Sequence, residues 1–442
     1  MLKAVNSLGV IFFPAFDWAI SATHPEREER LLYTQDQLIE EGVFDIEGIT
    51  EFKPLVADRT AVERTHFCFP DVESVATRSH MISAGGAIRA ADLVLTGKCD
   101  KSFALVRPPG HHAMKCVHGS RGFCNVNNEA IMIEHIRETY GPKRIAIVDT
   151  DCHHGDGTQD IYWNDPDVLF ISLHQDGRTL YPGSGFPYEL GGPGARGKTL
   201  NLPLPPGTSD EGVLYAIENF VLPVLEDFKP DLVINSAGQD NHFTDPITNM
   251  SVTAKGYARL NQLVNPDIAV LEGGYAIQGA LPYVNLAIVL AMAGLDYSHV
   301  AEPDLSKPEF KKRLRQDSRI DGYVEQLCRE MLKIYFHPPK DDTLDKSGGY
   351  YVRDKSIYYD TDGIQESQKE KLRDCGNCPG VKVIETSSTA VPRSLGIEIP
   401  INACPHCRDE GYRVFEDAQL KGGYRYVQLI NRLDKDYQQV GF

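Results

Sequence analysis

The 442-residue sequence lacks an apolar run long enough to cross a membrane. Its longest apolar stretch, residues 281–295, contains Pro282 and Asn285 and is shorter than the roughly 20 residues that span a bilayer. We interpret this stretch as a buried core helix. No secretory-signal pattern precedes the first apolar segment, residues 8–13, so we expect a cytoplasmic protein with no membrane partner.

The sequence also lacks an excess of positive charge. Lys and Arg total 45 against 62 Asp and Glu, which gives a formal net charge of -17. Repulsion would oppose binding to nucleic acid, so we expect none as a partner. Amines, polyamines and basic peptides suit this charge better, although an acidic protein without such ligands is an equal alternative.

Short apolar runs, rich in β-branched residues or leucine, alternate with helical patterns over the first 300 residues. Such runs are typical of parallel strands that are covered on both faces. We therefore predict an α/β fold with three layers, a mostly parallel sheet between two layers of helices. The candidate strands are residues 8–13, 103–106, 144–148, 168–173, 232–235 and 268–271.

The pattern changes after about residue 300. A charged amphipathic stretch, residues 306–334, predicts a helical extension that packs on the core. Residues 341–362 are rich in Asp, Lys, Gly and Tyr, and we interpret them as a linker or irregular surface segment. We divide the chain into a large domain (1–300), a helical extension (301–340) and a C-terminal module (341–442).

Unusual polar clusters follow five of the predicted strands. They read RPPGHH, DTDCHHGDG, HQDGRTLYPGSG, SAGQDNH and EGGY in chain order. In open α/β sheets, ligands and catalytic groups gather at the carboxyl ends of the strands. Core histidines or turn glycines explain any one cluster, but five at one sheet edge indicate an active site.

The densest cluster, residues 149–157, predicts a metal site. Asp149, Asp151 and His153 lie two residues apart and face the same way in an extended segment, so two of them can reach one ion. Asp240 can supply a third ligand. Three protein ligands and an open position for water are typical of catalytic zinc. Turn and cap roles for these residues are the alternative.

Two more clusters offer proton transfer and hydrogen bonding. His111 and His112 follow Pro-Pro-Gly, and a histidine beside an activated water can accept and return a proton. Asp149 and Asp156 are available to fix the histidine tautomers. Tyr275, on a glycine-rich turn, can donate a hydrogen bond to a developing oxyanion, although a packing role is the alternative.

These segments resemble the histone deacetylase family, which includes the acetylpolyamine amidohydrolases, and look closest to its class II-like bacterial members. The matching stretches are LVRPPGHHA, RGFCNVNNEA, IVDTDCHHGDGTQ, VLFISLHQDG, LYPGSG, INSAGQDNHFTDPI and LEGGY. The resemblance covers roughly residues 8–300. It implies the arginase/deacetylase-like form of the three-layer fold.

The resemblance also implies two bound ions in the large domain. One catalytic zinc ion would be held by Asp151, His153 and Asp240. A potassium ion would occupy an inner site formed by Asp149, Asp151, His153, Ser172 and Leu173.

Catalytic roles follow from the same resemblance. His112 would be the principal general base and acid, supported by Asp156. His111, paired with Asp149, would tune the electrostatics. Tyr275 would polarise the acyl carbonyl.

The resemblance further implies a narrow acyl-lysine tunnel. Phe123, after Gly122, and Tyr181 would form its walls. Two positions depart from the family pattern. Cys68 replaces an Asp that holds the substrate backbone in some members, and Ile247 replaces a gatekeeping Glu of one polyamine deacetylase branch. Ile247 disfavours that means of selecting polyamines but leaves other ways of binding small amines open.

Four of the ten cysteines form two Cys-x-x-Cys pairs. Cys375 and Cys378 are separated from Cys404 and Cys407 by 25 residues, and two such pairs can close a tetrahedral site. We predict a structural zinc ion in a zinc-ribbon-like module; a redox dithiol is the alternative. A stabilising or dimerising role is favoured, and a homo-oligomer is left open.

The sequence therefore predicts a zinc-dependent deacylase, a hydrolase that cleaves an N-acyl amide, above all N-acetyl, of lysine, polyamine or a related small amine. Two alternatives are a dimanganese ureohydrolase-type enzyme and a catalytically weak binding or sensing protein. Iron(II) in place of zinc is also open, because two carboxylates and one imidazole suit either metal.

Overall fold

The apolar runs of the large domain form an eight-stranded sheet in which every pairing is parallel. The computed structural model describes residues 2–340 and 345–441. The strands of this part of the chain are β1 (Lys3–Phe13), β2 (Glu47–Phe52), β3 (Phe67–Cys68), β4 (Lys101–Val106), β5 (Cys116–Val117), β6 (Ile145–Asp149), β7 (Val168–Gln175), β8 (Thr199–Leu204), β9 (Leu232–Ser236) and β10 (Ile268–Val270). The order in the sheet is β2-β1-β4-β10-β9-β6-β7-β8, and β3 pairs separately with β5.

Helices cover both faces of this sheet. They are α1 (Leu32–Glu40), α2 (Arg59–Glu63), α3 (Val72–Val75), α4 (Arg78–Leu95), α5 (Asn128–Tyr140), α6 (Asp156–Tyr162), α7 (Asp210–Ala216), α8 (Leu222–Phe228), α9 (Ala254–Val264), α10 (Leu281–Met292), α11 (Pro308–Lys311) and α12 (Ser318–Phe336). Short 3₁₀ turns at Glu28–Leu31 and Val43–Asp45 and a π-helical segment at Ile217–Val221 complete the set.

Strand β6 shows why the fold has three layers. Ala146 and Val148 pack in one apolar cluster with helices α1, α7, α8, α9, α10 and α12. Ile145 and Ile147 point to the opposite face and pack with α4, α5 and α6. Successive side chains of a strand alternate between faces, so a continuously apolar strand requires cover on both sides. The predicted fold class is confirmed.

The longest apolar stretch of the sequence forms a buried helix, as predicted. It forms α10, which is buried in the core. Across residues 2–340 and 345–441, none of the helices has the length and apolar character needed to cross a membrane. The extension after residue 300 contains α11 and α12, and Val324, Leu327 and Met331 of α12 join the main core. Whether the three predicted segments are separate domains stays a prediction.

The C-terminal part is a second, seven-stranded sheet, called here the C-terminal domain (residues 345–441). Its strands lie in chain order in the sheet, and all neighbours are antiparallel except β15 and β16, which helix α13 connects. The elements are β11 (Asp345–Ser347), β12 (Tyr350–Tyr359), β13 (Ile364–Arg373), β14 (Lys382–Ser388), β15 (Ser394–Ile399), α13 (Pro405–Lys421), β16 (Tyr426–Asn431) and β17 (Asp436–Gly441).

The interpretation of residues 341–362 as a linker is wrong for residues 345–359, while residues 341–344 lie outside the described part. Strand β12 pairs with β13 along its whole length. Three of the four buried positions of β13 are polar, namely Glu366, Gln368 and Glu370, and the fourth is Leu372. A strand whose buried face is polar has no apolar alternation, which is the sequence signal for a half-buried strand.

The two sheets share a buried interface. Phe67 and Phe69 of the large domain pack with Ile384, Val391 and Ile430 of the C-terminal domain. The ammonium group of Lys115 lies 2.9 Å from Glu398 in the same interface, with both side chains buried. Buried charges need such partners, because desolvation of an unpaired ion is costly.

We expect the ion pairs of Glu398 to make the stability of the protein depend on acid pH. Burial alone would raise the pKa of this carboxyl group, but Lys115, Arg432 and Lys382 hold the pKa below its usual value. The stabilising contribution is then present above about pH 4.3 and is lost as the pH falls below that value. The free energy of unfolding in urea should therefore fall more steeply in acid for the wild type than for Glu398→Gln. The exposed Glu416→Gln variant is the control, and equal acid slopes for Glu398→Gln and the wild type would contradict the expectation.

Candidate metal centre and substrate tunnel

Asp151, His153 and Asp240 meet at the carboxyl edge of the parallel sheet. Their ligand atoms all lie within 4.8 Å of one another, and all three residues are buried. His153 Nδ1 is 2.8 Å from Asp240 Oδ2 and 3.2 Å from Asp151 Oδ1. Two buried carboxylates repel each other unless a cation neutralises them, so this donor set fits a divalent metal ion.

Backbone groups fix the two carboxylates in place. The N–H of Gly273 donates to Asp151 Oδ2 at 2.7 Å, and the N–H of Cys152 donates to Asp240 Oδ1 at 2.7 Å. A Cβ atom on Gly273 would overlap the carboxylate of Asp240, so only glycine permits this close approach. The EGGY turn after β10 therefore shapes the metal site.

The two tandem histidines each contact a carboxylate. His111 Nδ1 is 3.2 Å from Asp149 Oδ2, and His112 Nδ1 is 2.8 Å from Asp156 Oδ1. Although burial opposes the charged form, Asp151 and Asp149 raise the pKa of His111 to about 10. Burial, together with the charge of His111, lowers the pKa of His112 to about 3. The two neighbours are thus held in different protonation states.

Arg121 is a site residue that the sequence analysis missed. Its Nη2 lies 2.6 Å from Asp156 Oδ2, on the side of the carboxylate opposite to His112. The guanidinium carbon also lies 5.5 Å from the centroid of the Tyr181 ring. The only sequence signal was an arginine directly before Gly122 in the matching stretch RGFCNVNNEA.

Tyr275 lies at the end of the EGGY turn with its ring buried. Its N–H donates to Asp245 Oδ2 at 2.8 Å, and the guanidinium of Arg30 stacks on its ring at 5.0 Å. The ring of Phe123 meets it edge to face at a centroid distance of 5.6 Å. Burial raises the pKa of Tyr275 well above its usual value, so the hydroxyl group keeps its proton.

A cavity of about 280 Å³ connects these groups. Its buried end is formed by His112, His153 and Tyr275, and the remaining lining includes all four predicted substrate-binding residues. The lining residues are His112, Gly122, Phe123, His153, Leu180, Tyr181, Ile247, Tyr275 and Asp360. His112, His153 and Tyr275 therefore line one common space.

Asp360 is the second residue that the sequence analysis missed. It follows β12 in the C-terminal domain, in the segment that we had interpreted as a linker. Its Oδ1 accepts hydrogen bonds from Gly122 N at 2.9 Å and from the hydroxyl group of Tyr181 at 3.0 Å. No sequence signal distinguished it from the other acidic residues of that segment.

The residues predicted for potassium lie together on β6, on β7 and in the loop after β6. Ser172 is the register partner of Asp149, and both are fully buried. Ser172 Oγ lies 2.9 Å from His174 Nδ1. Asp151, His153 and Leu173 are also buried. The potassium site itself stays a prediction.

The four paired cysteines converge at one end of the second sheet. Cys375 and Cys378 lie between β13 and β14, while Cys404 and Cys407 lie at the start of α13. The register pairs Lys382 with Glu398, which places both cysteine pairs at the same end. Their four sulfur atoms lie within 4.8 Å of one another, as a four-cysteine metal site requires.

Comparison with known proteins identifies the family. The model of the histone deacetylase domain matches residues 67–291, which is more than half of the chain. The chain belongs to the histone deacetylase family. The resemblance drawn from the motifs is therefore confirmed.

Individual relatives agree with this membership. A probable deacetylase of Archaeoglobus fulgidus is 46% identical over 328 residues, which cover 68% of this chain and 90% of that protein. A histone deacetylase-like amidohydrolase of Pseudomonas aeruginosa is 36% identical over 263 residues, 56% of this chain and 68% of that protein. An acetylpolyamine amidohydrolase of Burkholderia pseudomallei is 39% identical over 201 residues, 44% of this chain and 57% of that protein.

A solved structure agrees as well. The crystal structure of the HDA15 HD domain superimposes with a TM-score of 0.64 at 28% identity, covering 75% of this chain and 96% of that one. Membership of this family of deacetylases and amidohydrolases confirms the predicted enzyme class, a metal-dependent amidohydrolase acting on linear amides.

We expect the two clusters to bind metal independently, with about two zinc ions per chain. Asp240→Asn should remove the ion of the carboxylate–histidine cluster, and Cys404→Ser should remove the other. Metal content measured by mass spectrometry after desalting checks both losses. Cys328→Ser, a buried cysteine of α12 outside both clusters, should keep both ions. Loss of both ions from either single variant would disprove independent sites.

Proposed function

We propose that the protein is a zinc-dependent deacylase that hydrolyses N-acyl amides, above all N-acetyl amides, of lysine, a polyamine or a related small aliphatic amine. The observation that carries the proposal is the cavity in which His112, His153 and Tyr275 form one buried end. A narrow space with this end fits a linear acyl-amine inserted with its acyl group first.

Asp151, His153 and Asp240 would hold the catalytic zinc ion. When bound, zinc polarises the acyl carbonyl and lowers the pKa of a water molecule. Asp151 Oδ2 and Asp240 Oδ1 accept backbone hydrogen bonds, so the positions of both carboxylates are fixed before any ion or substrate arrives.

His112 would accept a proton from the attacking water and return it to the leaving amine. The low pKa that burial imposes leaves its imidazole neutral and able to accept. Asp156, in contact with His112 Nδ1, would fix the tautomer so that Nε2 faces the reacting atoms. Arg121 holds the other oxygen of Asp156 and so keeps that carboxylate ionised and oriented.

Tyr275 would donate its hydroxyl hydrogen bond to the oxygen that becomes negative during attack. Its ring is held between Arg30 and Phe123, and its backbone by Asp245. His111, whose pKa the carboxylates raise, would add positive charge behind His112.

The alternative dimanganese reading has less support. Within the part of the chain that the structure describes, Asp151, His153 and Asp240 form the one carboxylate–histidine group able to hold a metal ion. A second ion at that site would need further bridging carboxylates.

For the remaining ions we propose structural zinc in the four-cysteine site and potassium beside Asp149 and Ser172.

The proposal predicts turnover of an acyl-lysine peptide, trifluoroacetyl-lysine or an acetylated polyamine by the zinc-loaded protein. Tyr275→Phe should lower kcat about 100- to 1000-fold, because one donor to the oxyanion is lost while the metal ligands remain. Amine release measured under saturating substrate gives kcat, and metal analysis shows that zinc is retained.

Tyr188→Phe provides the matched control, because Tyr188 is 71% exposed and lies outside the cavity lining. It should keep the wild-type rate. Full zinc loading with no cleavage of any of the three amides would reject the deacylase function and leave a binding protein. Unchanged kcat in Tyr275→Phe would reject the role of the tyrosine.

A further inference from the structure

We propose that Asp360, supplied by the C-terminal domain, binds a positively charged amine at the outer end of the substrate's aliphatic chain. The inference rests on the proposed deacylase function and adds a specificity-determining residue to it. It also gives the C-terminal domain a direct part in choosing the substrate.

One carboxylate oxygen of Asp360 is used by the protein and the other is not. Oδ1 accepts both the Gly122 N–H at 2.9 Å and the Tyr181 hydroxyl at 3.0 Å. No hydrogen bond to Oδ2 is formed by any residue in the ranges 2–340 and 345–441. Oδ1 therefore fixes the side chain against the tunnel wall and leaves Oδ2 for a ligand.

Asp360 lies at the outer part of the cavity. His112, His153 and Tyr275, at one end of the cavity, are buried. Phe123, Tyr181 and Asp360 are half-buried and so lie nearer the solvent. A substrate whose acyl group reaches Tyr275 would pass its methylene chain between the two aromatic rings. Asp360 is the one carboxylate among the residues that line this cavity, so it is the group that an outer ammonium would meet.

Arg121 interacts electrostatically with Asp360, but the groups around Asp360 compensate its negative charge only in part. Burial lowers the pKa of the neighbouring His24, whose ring lies against Phe123 at 4.3 Å, so this histidine is neutral near pH 7. Arg121 is paired with Asp156 at 2.6 Å. Asp362, two residues after Asp360, accepts a hydrogen bond from the Ser120 N–H at 2.6 Å and is not among the residues that line the cavity.

A purely structural role for Asp360 is the competing explanation. The amide oxygen of an asparagine could accept the same two hydrogen bonds from Gly122 and Tyr181, because neither bond requires a charged acceptor. Asp360→Asn therefore removes the charge and preserves the anchoring. A carboxylate contributes to ammonium binding through a charge-assisted hydrogen bond, which an amide cannot match.

The experiment compares two substrates of equal length in the zinc-loaded, full-length protein. N-acetylcadaverine ends in an ammonium group, and N-acetylhexylamine ends in a methyl group at the same position. The wild type should prefer N-acetylcadaverine. Asp360→Asn should raise KM for it about tenfold, the usual size of a charge-assisted hydrogen bond, with kcat and the KM of N-acetylhexylamine unchanged. Asp362→Asn is the matched control and should change neither substrate's KM.

Three results would overturn the proposal. Equal losses for both substrates in Asp360→Asn would show that the residue only positions the wall. Wild-type indifference to the ammonium group would show that no cation is bound. A loss confined to an acetyl-lysine peptide with uncharged ends would show that the carboxylate binds peptide N–H groups instead.

Failure of the proposed function can be told apart from failure of this inference. If the wild type cleaves no amide, calorimetric titration with cadaverine still tests the site. Binding that weakens about tenfold in Asp360→Asn but not in Asp362→Asn would support the cation site without deacylase activity. Absence of cadaverine binding to the wild type would overturn the inference.

Discussion

Two carboxylates buried side by side, those of Asp151 and Asp240, are the constraint around which the large domain is built. Neither can stay ionised in a dry interior without a cation and hydrogen bonds, so the surrounding chain supplies the hydrogen bonds and a donor set that fits a metal cation. His153 lies between them, and the N–H groups of Gly273 and Cys152 hold their outer oxygens. Parallel strands make this possible, because their carboxyl ends bring distant loops to one edge.

The C-terminal domain also depends on pairing charged groups, here at its interface with the large domain. The face that it turns to the large domain is largely polar, and its charged side chains find partners there, as Glu398 does with Lys115 and Lys355 does with Asp160. An interface of this kind fixes orientation, because misplacement would leave charges unpaired. That orientation is what allows Asp360 to reach the wall of the tunnel.

The sequence predicted the large domain well and the C-terminal domain poorly, for a physical reason. Continuous apolar strands such as β6 and β7 predict a parallel sheet that is covered on both faces. The polar clusters at the ends of these strands indicate the sheet edge where the site lies. Strand β13 gives no such signal, because three of its four buried residues are Glu or Gln, and His118, the partner of Glu366 in the large domain, lies far away in sequence. Asp360 was missed for the same reason: its role depends on contacts with Gly122 and Tyr181, some 180 to 240 residues earlier.

One backbone feature connects the wall of the cavity to His112, the proposed proton acceptor. Gly122 and Phe123 both adopt positive φ angles, of 52° and 68°, and a Cβ atom on Gly122 would overlap the ring of His112. The loop that sets the width of the tunnel is thus in van der Waals contact with the imidazole. A substitution in this loop that changed the shape of the tunnel would therefore also displace the imidazole of His112. Because Asp360 Oδ1 accepts the Gly122 N–H, the turn after β12 is linked to the imidazole of His112 through this same loop.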